Sequence, residues 1–309
     1  MAERAPLRLP SFIGIGPART GTTWLDAVLR NVAGLPAIKE TKFFTQFYDR
    51  GIEWYSDFFR ACPEGFTLGE VCPYFGNVDA SERIHRHLPE CKIFCTLRDP
   101  VERLYSFYRI DAKRGVTRKS FEGWMSTTRY AAPYTPALRR WQDRFGNRLL
   151  VTFYQDLSDN PQQYLDQLCN FIGLQRVDLA TAKIREGARN SAERSSRHPR
   201  LAGAFHQLRI HLNRGGAQAF LNLINRTGFN RYIFGNGTLF EGMRPEMDAS
   251  LRERYLTDIE TLEQMLGRDL SAWKQPRALA PPDHRISSAG SDRNPDAGAQ
   301  SAATRDGAR

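Results

Sequence analysis

The stretch FIGIGPARTGTTWLDAVL, residues 12–29, decides the fold of this chain of 309 residues. Its first part, Phe12 to Gly16, is a short apolar run that ends in glycine, and it predicts a buried strand. Apolar residues at helical spacing follow from Thr22 to Val32 and predict a helix. The residues between form a turn from a strand into a helix, which is a setting in which proteins bind phosphate groups.

The composition of the turn refines this expectation. Gly16 and Gly21 have the spacing of the phosphate loop G-x-x-x-x-G-K-[ST], in which glycines allow the backbone to point N–H groups at phosphate oxygens. Thr22 stands in the place of the lysine, and the cation is Arg19, three positions earlier. This arrangement favours a grip on one terminal phosphate over Mg-assisted transfer of a γ-phosphoryl group. The alternative is a glycine-rich turn that binds no ligand.

Further strands and helices alternate along the chain. Strands are predicted at 66–71, 92–97 and 149–153, and helices at 52–59, 78–88, 101–114, 134–145, 161–172 and 247–266. This alternation predicts an α/β fold with a central parallel sheet flanked by helices on both faces.

The last third of the chain gives weaker signals. We predict a polar, arginine-rich loop from Lys183 to Arg200 and short helices from Leu201 to Phe240. The chain is expected to form a single domain over residues 1–275. The tail 276–309 has almost no large apolar residue and is expected to be disordered.

The composition limits the classes of function. A net charge of +10 favours anionic partners such as nucleotides, sulfated or phosphorylated substrates, nucleic acid or an anionic membrane. No apolar run reaches the ~18 residues of a transmembrane helix, and the N-terminus lacks the apolar core of a signal peptide, so we expect a cytoplasmic protein. The five cysteines include no C-x-x-C pair, so neither a disulfide framework nor a zinc site is expected.

Four blocks, in order, resemble the sulfotransferases that use 3′-phosphoadenosine-5′-phosphosulfate (PAPS), in particular bacterial members similar to the heparan-sulfate type. They are GPARTGTTWL (16–25), KETKFF (39–44), GEVCPYF (69–75) and IFCTLRDPVERLYSFY (93–108). The resemblance continues more weakly to Trp273. It implies a nucleotide-binding architecture like that of the P-loop kinases, with PAPS as the sulfuryl donor and no metal ion.

The resemblance also implies roles for individual residues. The 5′-phosphosulfate would be held by the turn and the start of the helix, through Arg19, Thr20, Gly21, Thr22, Thr23 and Trp24. Arg98 and Ser106 would bind the 3′-phosphate. Glu40 would take the proton of the acceptor, and Lys42 would contact the oxygens that are being transferred.

Two departures from the family pattern matter for the chemistry. The position of Arg19 is often lysine, which can donate a proton to the leaving group. Arginine, with a pKa above ~12, stabilises charge but hardly gives up a proton. Val71 stands where a lysine usually follows Glu70, so a contact to substrate or donor is either missing or supplied from elsewhere.

Several of these roles have alternatives. Glu40 could be an exposed loop residue paired with Lys39 or Lys42, and Glu70 is the second candidate for the base or a structural partner of a buried arginine. Arg98 could form a salt bridge with Asp99 at the start of the helix.

Two further groups of residues are open to more than one interpretation. Aromatic residues could line an acceptor pocket, although we assign most of them to the core: Phe43, Phe44, Phe47, Tyr48, Trp54, Tyr55 and Phe58. Arginines of the 183–200 loop could touch phosphates or simply be solvated: Arg189, Arg194 and Arg197.

The sequence therefore predicts a sulfotransferase that moves a sulfuryl group from PAPS to a hydroxyl or amine by in-line displacement. The acceptor would be a small molecule, a glycan, a glycolipid or a natural product. The alternatives are a small-molecule kinase and a basic protein that binds nucleic acid or a membrane. No nucleic acid is expected, the stretch Leu201 to Tyr232 could contact a lipid surface, and the oligomeric state is left open.

Overall fold

The computed structural model describes residues 6–128, 130–183, 194–196, 198–214, 236–240 and 242–276. Its central sheet has four parallel strands in the order β2-β1-β3-β4. The strands are β1 (Phe12–Gly14), β2 (Gly69–Val71), β3 (Lys92–Leu97) and β4 (Leu149–Phe153). The predicted α/β fold with a parallel sheet is confirmed. The predicted disordered tail lies outside the described residues from 277 onward.

Helices account for most of the remaining structure. Before β3 lie α1 (Thr22–Leu29), α2 (Phe43–Gln46), α3 (Ile52–Asp57) and α4 (Ala80–His87). Between β3 and β4 lie α5 (Pro100–Lys113), α6 (Phe121–Met125) and α7 (Thr135–Phe145). After β4 come α8 (Tyr154–Asp159), α9 (Pro161–Ile172), α10 (Pro199–Arg214), α11 (Pro245–Leu266) and α12 (Ser271–Lys274).

The sheet is covered on both faces because its side chains alternate. In β3, Ile93 and Cys95 join one hydrophobic cluster, whereas Phe94 between them joins another. The first cluster includes side chains of α4, α5, α7 and α11, and the second includes side chains of α1 and α9. Trp273 belongs to the first cluster, so packing continues to the end of the single domain predicted over 1–275.

The order of the strands positions the ligand site. The chain passes from β1 to β2 on one side, and β3 then lies on the other side of β1. In an open parallel sheet, a crevice forms at the carboxyl ends of two strands whose connections diverge in this way. The phosphate turn follows β1 and Arg98 follows β3, so both motifs lie at this crevice.

The prediction for 183–240 was wrong in part. Residues 194–196 form strand β5 and residues 236–239 form strand β6, and the two pair antiparallel. Helix α10 begins at Pro199 and continues to Arg214, and residues 215–235 of the predicted short helices lie outside the described residues. The sequences RSS and NGTL have no apolar periodicity, and their pairing joins segments about forty residues apart, so no local pattern indicates it. In the part of the chain that the structure describes, no helix combines the length and apolar composition that a membrane crossing requires.

A buried ion-pair cluster ties α11 to the start of α5. The Asp99 carboxylate caps α5 by accepting hydrogen bonds from the backbone N–H groups of Val101 and Glu102. Arg252 donates to Asp99 at 2.8 Å and to Asp248 at 2.8 Å, and all three side chains are at most 3% exposed. The first residue after Arg98 is therefore fixed from two directions.

We expect Arg252→Met to lower the free energy of unfolding by about 3–5 kcal/mol, because it leaves buried carboxylates without their cation. The measurement is urea unfolding followed by circular dichroism. Arg268→Met is the matched control, since Arg268 pairs with Asp156 on the surface, where its side chain is 44% exposed. It should cost no more than about 1 kcal/mol. Equal losses for the two variants would contradict the role of the cluster.

Candidate active site

The turn after β1 has a constrained backbone. Gly16 and Gly21 have φ angles of +88° and +87°, which glycine adopts readily and other residues rarely do. Arg19 also has a positive φ, +73°, which is unusual for a residue with a side chain. Thr20 is buried, and its hydroxyl donates to the Pro17 carbonyl at 2.7 Å. The turn is thus held in one shape by its own hydrogen bond and by glycine at both ends.

Helix α1 begins directly from this turn. Gly21 is its N-cap, and Leu25 donates the first intrahelical hydrogen bond, to the Gly21 carbonyl at 3.0 Å. The amides of residues 22–24 precede this bond, and they are the groups with which a helix N-terminus binds an anion. A Cβ atom at Gly21 would lie 2.7 Å from Leu157 Cδ2 of α8, and the positive φ would strain any residue with a side chain there. The Trp24 side chain packs in the second hydrophobic cluster, which leaves its backbone for the predicted donor contact.

The turn and α5 meet through two arginines. Arg19 donates from Nε to Ser106 Oγ at 3.0 Å, and Arg98 donates from Nη1 to the Arg19 carbonyl at 3.4 Å. The Arg98 guanidinium lies 4.4 Å from the centre of the Tyr154 ring, and Tyr134 donates its hydroxyl hydrogen bond to the Arg98 carbonyl at 2.8 Å. The structure therefore brings together the three residues predicted from two separate motifs.

Positive charge is concentrated at this point. Burial, together with the nearby guanidinium groups of Arg98, Arg114 and Arg109, lowers the pKa of Arg19 to about 10. A group whose pKa is lowered by other cations is stabilised when an anion binds among them. The site thus has the electrostatic character expected of a phosphate-binding site.

The alternative interpretation of Arg98 was wrong about its partner. Asp99 binds Arg252 and caps α5, whereas Arg98 forms its ion pair with Glu102 at 3.2 Å, one helical turn further on. Both side chains of the Arg98–Glu102 pair remain partly exposed to solvent, at 19% and 23%. The guanidinium is therefore held by a carboxylate in the first turn of α5, the helix that begins just after Arg98.

The base segment, residues 39–42, has an unusual backbone. Glu40 and Lys42 have φ angles of +63° and +56°, on either side of Thr41. Such left-handed conformations cost free energy in residues with a side chain and persist where the surroundings fix them. Thr41 supplies this fixation, since both its backbone N–H and its hydroxyl donate to Glu70 Oε1, at 2.9 and 2.6 Å.

Glu70 is a buried anchor in the middle of β2. Its side chain accepts two more hydrogen bonds, from the hydroxyls of Tyr55 at 2.8 Å and Tyr74 at 3.3 Å, and the residue is 1% exposed. Burial raises the pKa of Glu70 above its ordinary value, although the four donated hydrogen bonds act in the opposite direction. The partners of this carboxylate are thus Thr41 and two tyrosines, and not the arginine suggested as one alternative.

The candidate base lies beside the phosphate turn. Glu40 Oε1 is 3.3 Å from the ammonium of Lys39, and that ammonium donates to Thr23 Oγ1 at 2.7 Å. Glu40 is partly exposed, with 28% of its side chain accessible, so an acceptor can reach it. The ion pair named as an alternative for Glu40 is present, and it also links the carboxylate to the start of α1.

The remaining sequence candidates are aromatic residues, which lie in or against the core, and arginines whose side chains the structure does not describe. Phe43, Phe44 and Tyr55 are fully buried, which agrees with their assignment to the core. Tyr48, Trp54 and Phe58 are partly buried and pack against that core, and Phe47 contacts Trp54. Arg189, Arg197 and the Arg194 side chain lie outside the described residues. Among the described residues, no group of three or more His, Cys, Asp and Glu is placed to hold a metal ion.

Sequence reasoning missed several neighbours of the site. Tyr134 and Tyr154 orient Arg98, and Tyr55 and Tyr74 complete the environment of Glu70. The contact of Tyr74 could have been predicted from the sequence, because Tyr74 stands four residues after Glu70 in the GEVCPYF block. The others come from distant segments with no motif to mark them.

Comparison with known proteins adds independent information. Residues 9–196 match the family model described as "Sulfotransferase domain". Over 201 residues the chain is 29% identical to the mouse (Mus musculus) bifunctional heparan sulfate N-deacetylase/N-sulfotransferase 4, which covers 56% of this chain and 23% of that protein. It is 37% identical over 108 residues to the membrane-associated sulfotransferase kil1 of Dictyostelium discoideum, covering 33% of this chain and 23% of that one. The chain thus spans about a quarter of the length of these relatives.

A solved structure is similar in fold. The sulfotransferase from Alicyclobacillus acidocaldarius superimposes with a TM-score of 0.60 at 20% identity, over 86% of this chain and 99% of that one. At this identity the similarity concerns the fold alone. It extends the agreement well beyond the residues that match the family model.

The raised pKa of Glu70 predicts a pH-dependent effect of Glu70→Gln. The folded state ionises this carboxyl less readily than the unfolded chain, so its contribution to stability is fully present below the unfolded pKa of ~4.3 and is lost as the pH rises through the folded pKa. Glutamine does not ionise. The stability of Glu70→Gln relative to the unmutated chain should therefore increase with pH.

The measurement is urea unfolding of both proteins between about pH 4 and pH 8. Glu64→Gln, at an exposed position, corrects for the loss of one surface negative charge. A relative stability that falls as the pH rises would mean that the hydrogen bonds outweigh burial at Glu70.

Proposed function

Because this chain belongs to the sulfotransferase domain family, we propose that it transfers a sulfuryl group from PAPS to a hydroxyl or amine of an acceptor. The observation that carries the proposal is the 3.0 Å contact between Arg19 of the phosphate turn and Ser106 of α5. PAPS bears phosphate on both its 3′ and 5′ sides, so it needs two adjacent anion sites. The meeting of these two motifs supports such a pair of sites in one crevice.

The two sites divide the donor between them. The backbone amides at the start of α1, with Thr20 to Thr23, would hold the 5′-phosphosulfate. Arg98 and Ser106 would hold the 3′-phosphate, and the low pKa of Arg19 among other guanidinium groups favours an anion between them. Both glycines of the turn allow the backbone to approach the donor closely.

The reaction follows from this placement as an in-line displacement. The acceptor oxygen or nitrogen attacks sulfur, and the bond from sulfur to the 5′-phosphate oxygen breaks with its electron pair on that oxygen. The leaving group is 3′,5′-adenosine bisphosphate, whose new charge meets the N–H donors of the turn. Glu40 takes the proton that the acceptor loses. Glu40 is partly exposed, so a substrate can reach it. It also stands next to Thr41, which Glu70 holds in place, and this suits a base that must meet substrates in a defined orientation.

The proposed acceptor is a glycan. The names of the relatives refer to heparan sulfate, and on that basis we favour a glycan with a free hydroxyl or amine. A natural product or glycolipid would use the same chemistry. The cytoplasmic location, the absence of nucleic acid among the partners and the lipid contact of residues 201–232 stay predictions.

Nucleotide binding tests the two anion sites. Calorimetric titration should give tight binding of 3′,5′-adenosine bisphosphate without Mg, with weaker binding of 5′-AMP and of ATP–Mg. Arg98→Ala should weaken binding of the bisphosphate about 10- to 100-fold, as expected for loss of a charge-assisted hydrogen bond. Its affinity for 5′-AMP should be unchanged. Arg86→Ala is the matched control, because Arg86 also forms an ion pair with a glutamate four residues away, Glu82, at 2.6 Å. Preference for ATP–Mg would support the kinase alternative, and equal losses for both adenine nucleotides would remove the 3′-phosphate role.

Turnover tests the base. Glu40→Gln keeps the size of the side chain but cannot take a proton, so we expect turnover on the best acceptor from a panel of glycans and phenols to fall at least ~100-fold. Affinity for 3′,5′-adenosine bisphosphate should stay within about threefold, since the base does not bind the nucleotide. Glu263→Gln, which also removes the carboxylate partner of a lysine, serves as control. Unchanged turnover in Glu40→Gln would show that another group is the base.

A further inference from the structure

The cations around the phosphate turn contact different elements of the fold. Arg19 and Arg98 contact Ser106, Glu102 and Tyr154, which belong to α5 and α8. The side chain of Arg19 is therefore engaged on the side of the proposed 3′-phosphate site. The charge that moves during sulfuryl transfer develops between the start of α1 and Glu40, where a different cation is needed.

Lys39 occupies that place. Its ammonium donates to Thr23 Oγ1 at 2.7 Å and lies 3.3 Å from Glu40 Oε1, with 29% of the side chain exposed. Among the residues that the structure describes, it is the lysine whose ammonium contacts both the phosphate turn region and the candidate base. An ammonium has three N–H donors, so it can contact an incoming oxyanion while it keeps one of these partners.

Neither neighbouring position supplies the same contact. Val71, at the end of β2, is 1% exposed and packs in the second hydrophobic cluster, so this strand brings no cation to the site. Lys42 is itself left-handed and follows Thr41, the residue that Glu70 anchors. Lys39 lies on the α1 side of that anchor, which explains why it reaches Thr23.

We propose that Lys39 is a further catalytic residue, whose ammonium contacts the sulfuryl and 5′-phosphate oxygens and stabilises the charge that develops on them. This inference rests on the proposed function. When the donor binds, the ammonium exchanges its ion pair with Glu40 for these oxygens, and the Glu40 carboxylate is left to accept the proton of the acceptor. Lys39 keeps all its protons throughout, and the electron pair of the broken bond stays on the leaving 5′-phosphate.

The ion pair describes the site in the absence of the donor. There, the Glu40 carboxylate faces the Lys39 ammonium at 3.3 Å. The negative donor draws the ammonium away because a doubly charged oxyanion group attracts it more strongly than one carboxylate. Activation of the base is thereby coupled to donor binding through a single side chain.

The test compares Lys39→Met with Lys39→Arg in single-turnover transfer from PAPS and in calorimetric binding of 3′,5′-adenosine bisphosphate. Lys39→Met should lower the single-turnover rate about 100-fold, the effect typical of removing one donor that stabilises an oxyanion. Binding of the bisphosphate, which keeps the 5′-phosphate but lacks the sulfuryl group, should weaken by less than the rate does, no more than about tenfold. Lys39→Arg keeps the charge, so its single-turnover rate should be at least about tenfold higher than that of Lys39→Met.

A matched control comes from the other end of the chain. Lys274 also pairs with a glutamate, Glu263, and its side chain is 28% exposed, close to the 29% of Lys39. Lys274→Met should leave the rate and the binding unchanged, which separates the loss of any half-buried ion pair from the loss of this one.

Three outcomes overturn the role of Lys39. They are a Lys39→Met rate within threefold of the unmutated enzyme, a loss of bisphosphate affinity as large as the loss of rate, and no recovery in Lys39→Arg. In each of them the unmutated chain still transfers sulfuryl groups, so the proposed function stands. If the unmutated chain itself neither binds the bisphosphate nor transfers a sulfuryl group, the proposed function fails and the role of Lys39 fails with it.

Discussion

One buried carboxylate, Glu70, determines the geometry of the base half of the site. It accepts four hydrogen bonds, two of them from Thr41, the residue between the two strained positions Glu40 and Lys42. A buried acceptor that lost these donors would be costly, so the segment has little freedom to take another course. Because β2 pairs in register with β1, the same strand that carries Glu70 also fixes its distance from the phosphate turn. The rigid sheet thus positions a residue on a loop.

The two halves of the site have opposite electrostatic characters. Toward α5, burial and the neighbouring guanidinium groups lower the pKa of Arg19, and this half favours a static, multiply charged ligand. Toward β2, a carboxylate and an ammonium pair across a partly exposed surface, and their partners can be exchanged. A donor that is bound tightly at one end and reacts at the other needs this asymmetry. Binding and chemistry are then supported by different residues, which allows each to be altered separately.

The sequence predicted the elements that local pattern determines. The strands 92–97 and 149–153 were located to the residue, because each is a short, mostly apolar run. The pairing of β5 with β6 was missed, since neither strand has a pattern of its own. At the site, the motifs indicated which residues meet, but the specific partners depended on tertiary structure. Arg98 pairs with Glu102, whereas Asp99 pairs with Arg252, more than 150 residues further along the chain.

That long-range contact bears on where this protein can be divided. The family match ends at residue 196, whereas the cation that neutralises Asp99 stands at residue 252 and also donates to the Trp273 carbonyl. The segment that is recognisable by homology is therefore smaller than the segment that satisfies its own buried charges. A chimera or a gene library that took 9–196 as an interchangeable module would carry a buried carboxylate with no counterion next to Arg98. The boundary of a transplantable unit belongs after Trp273.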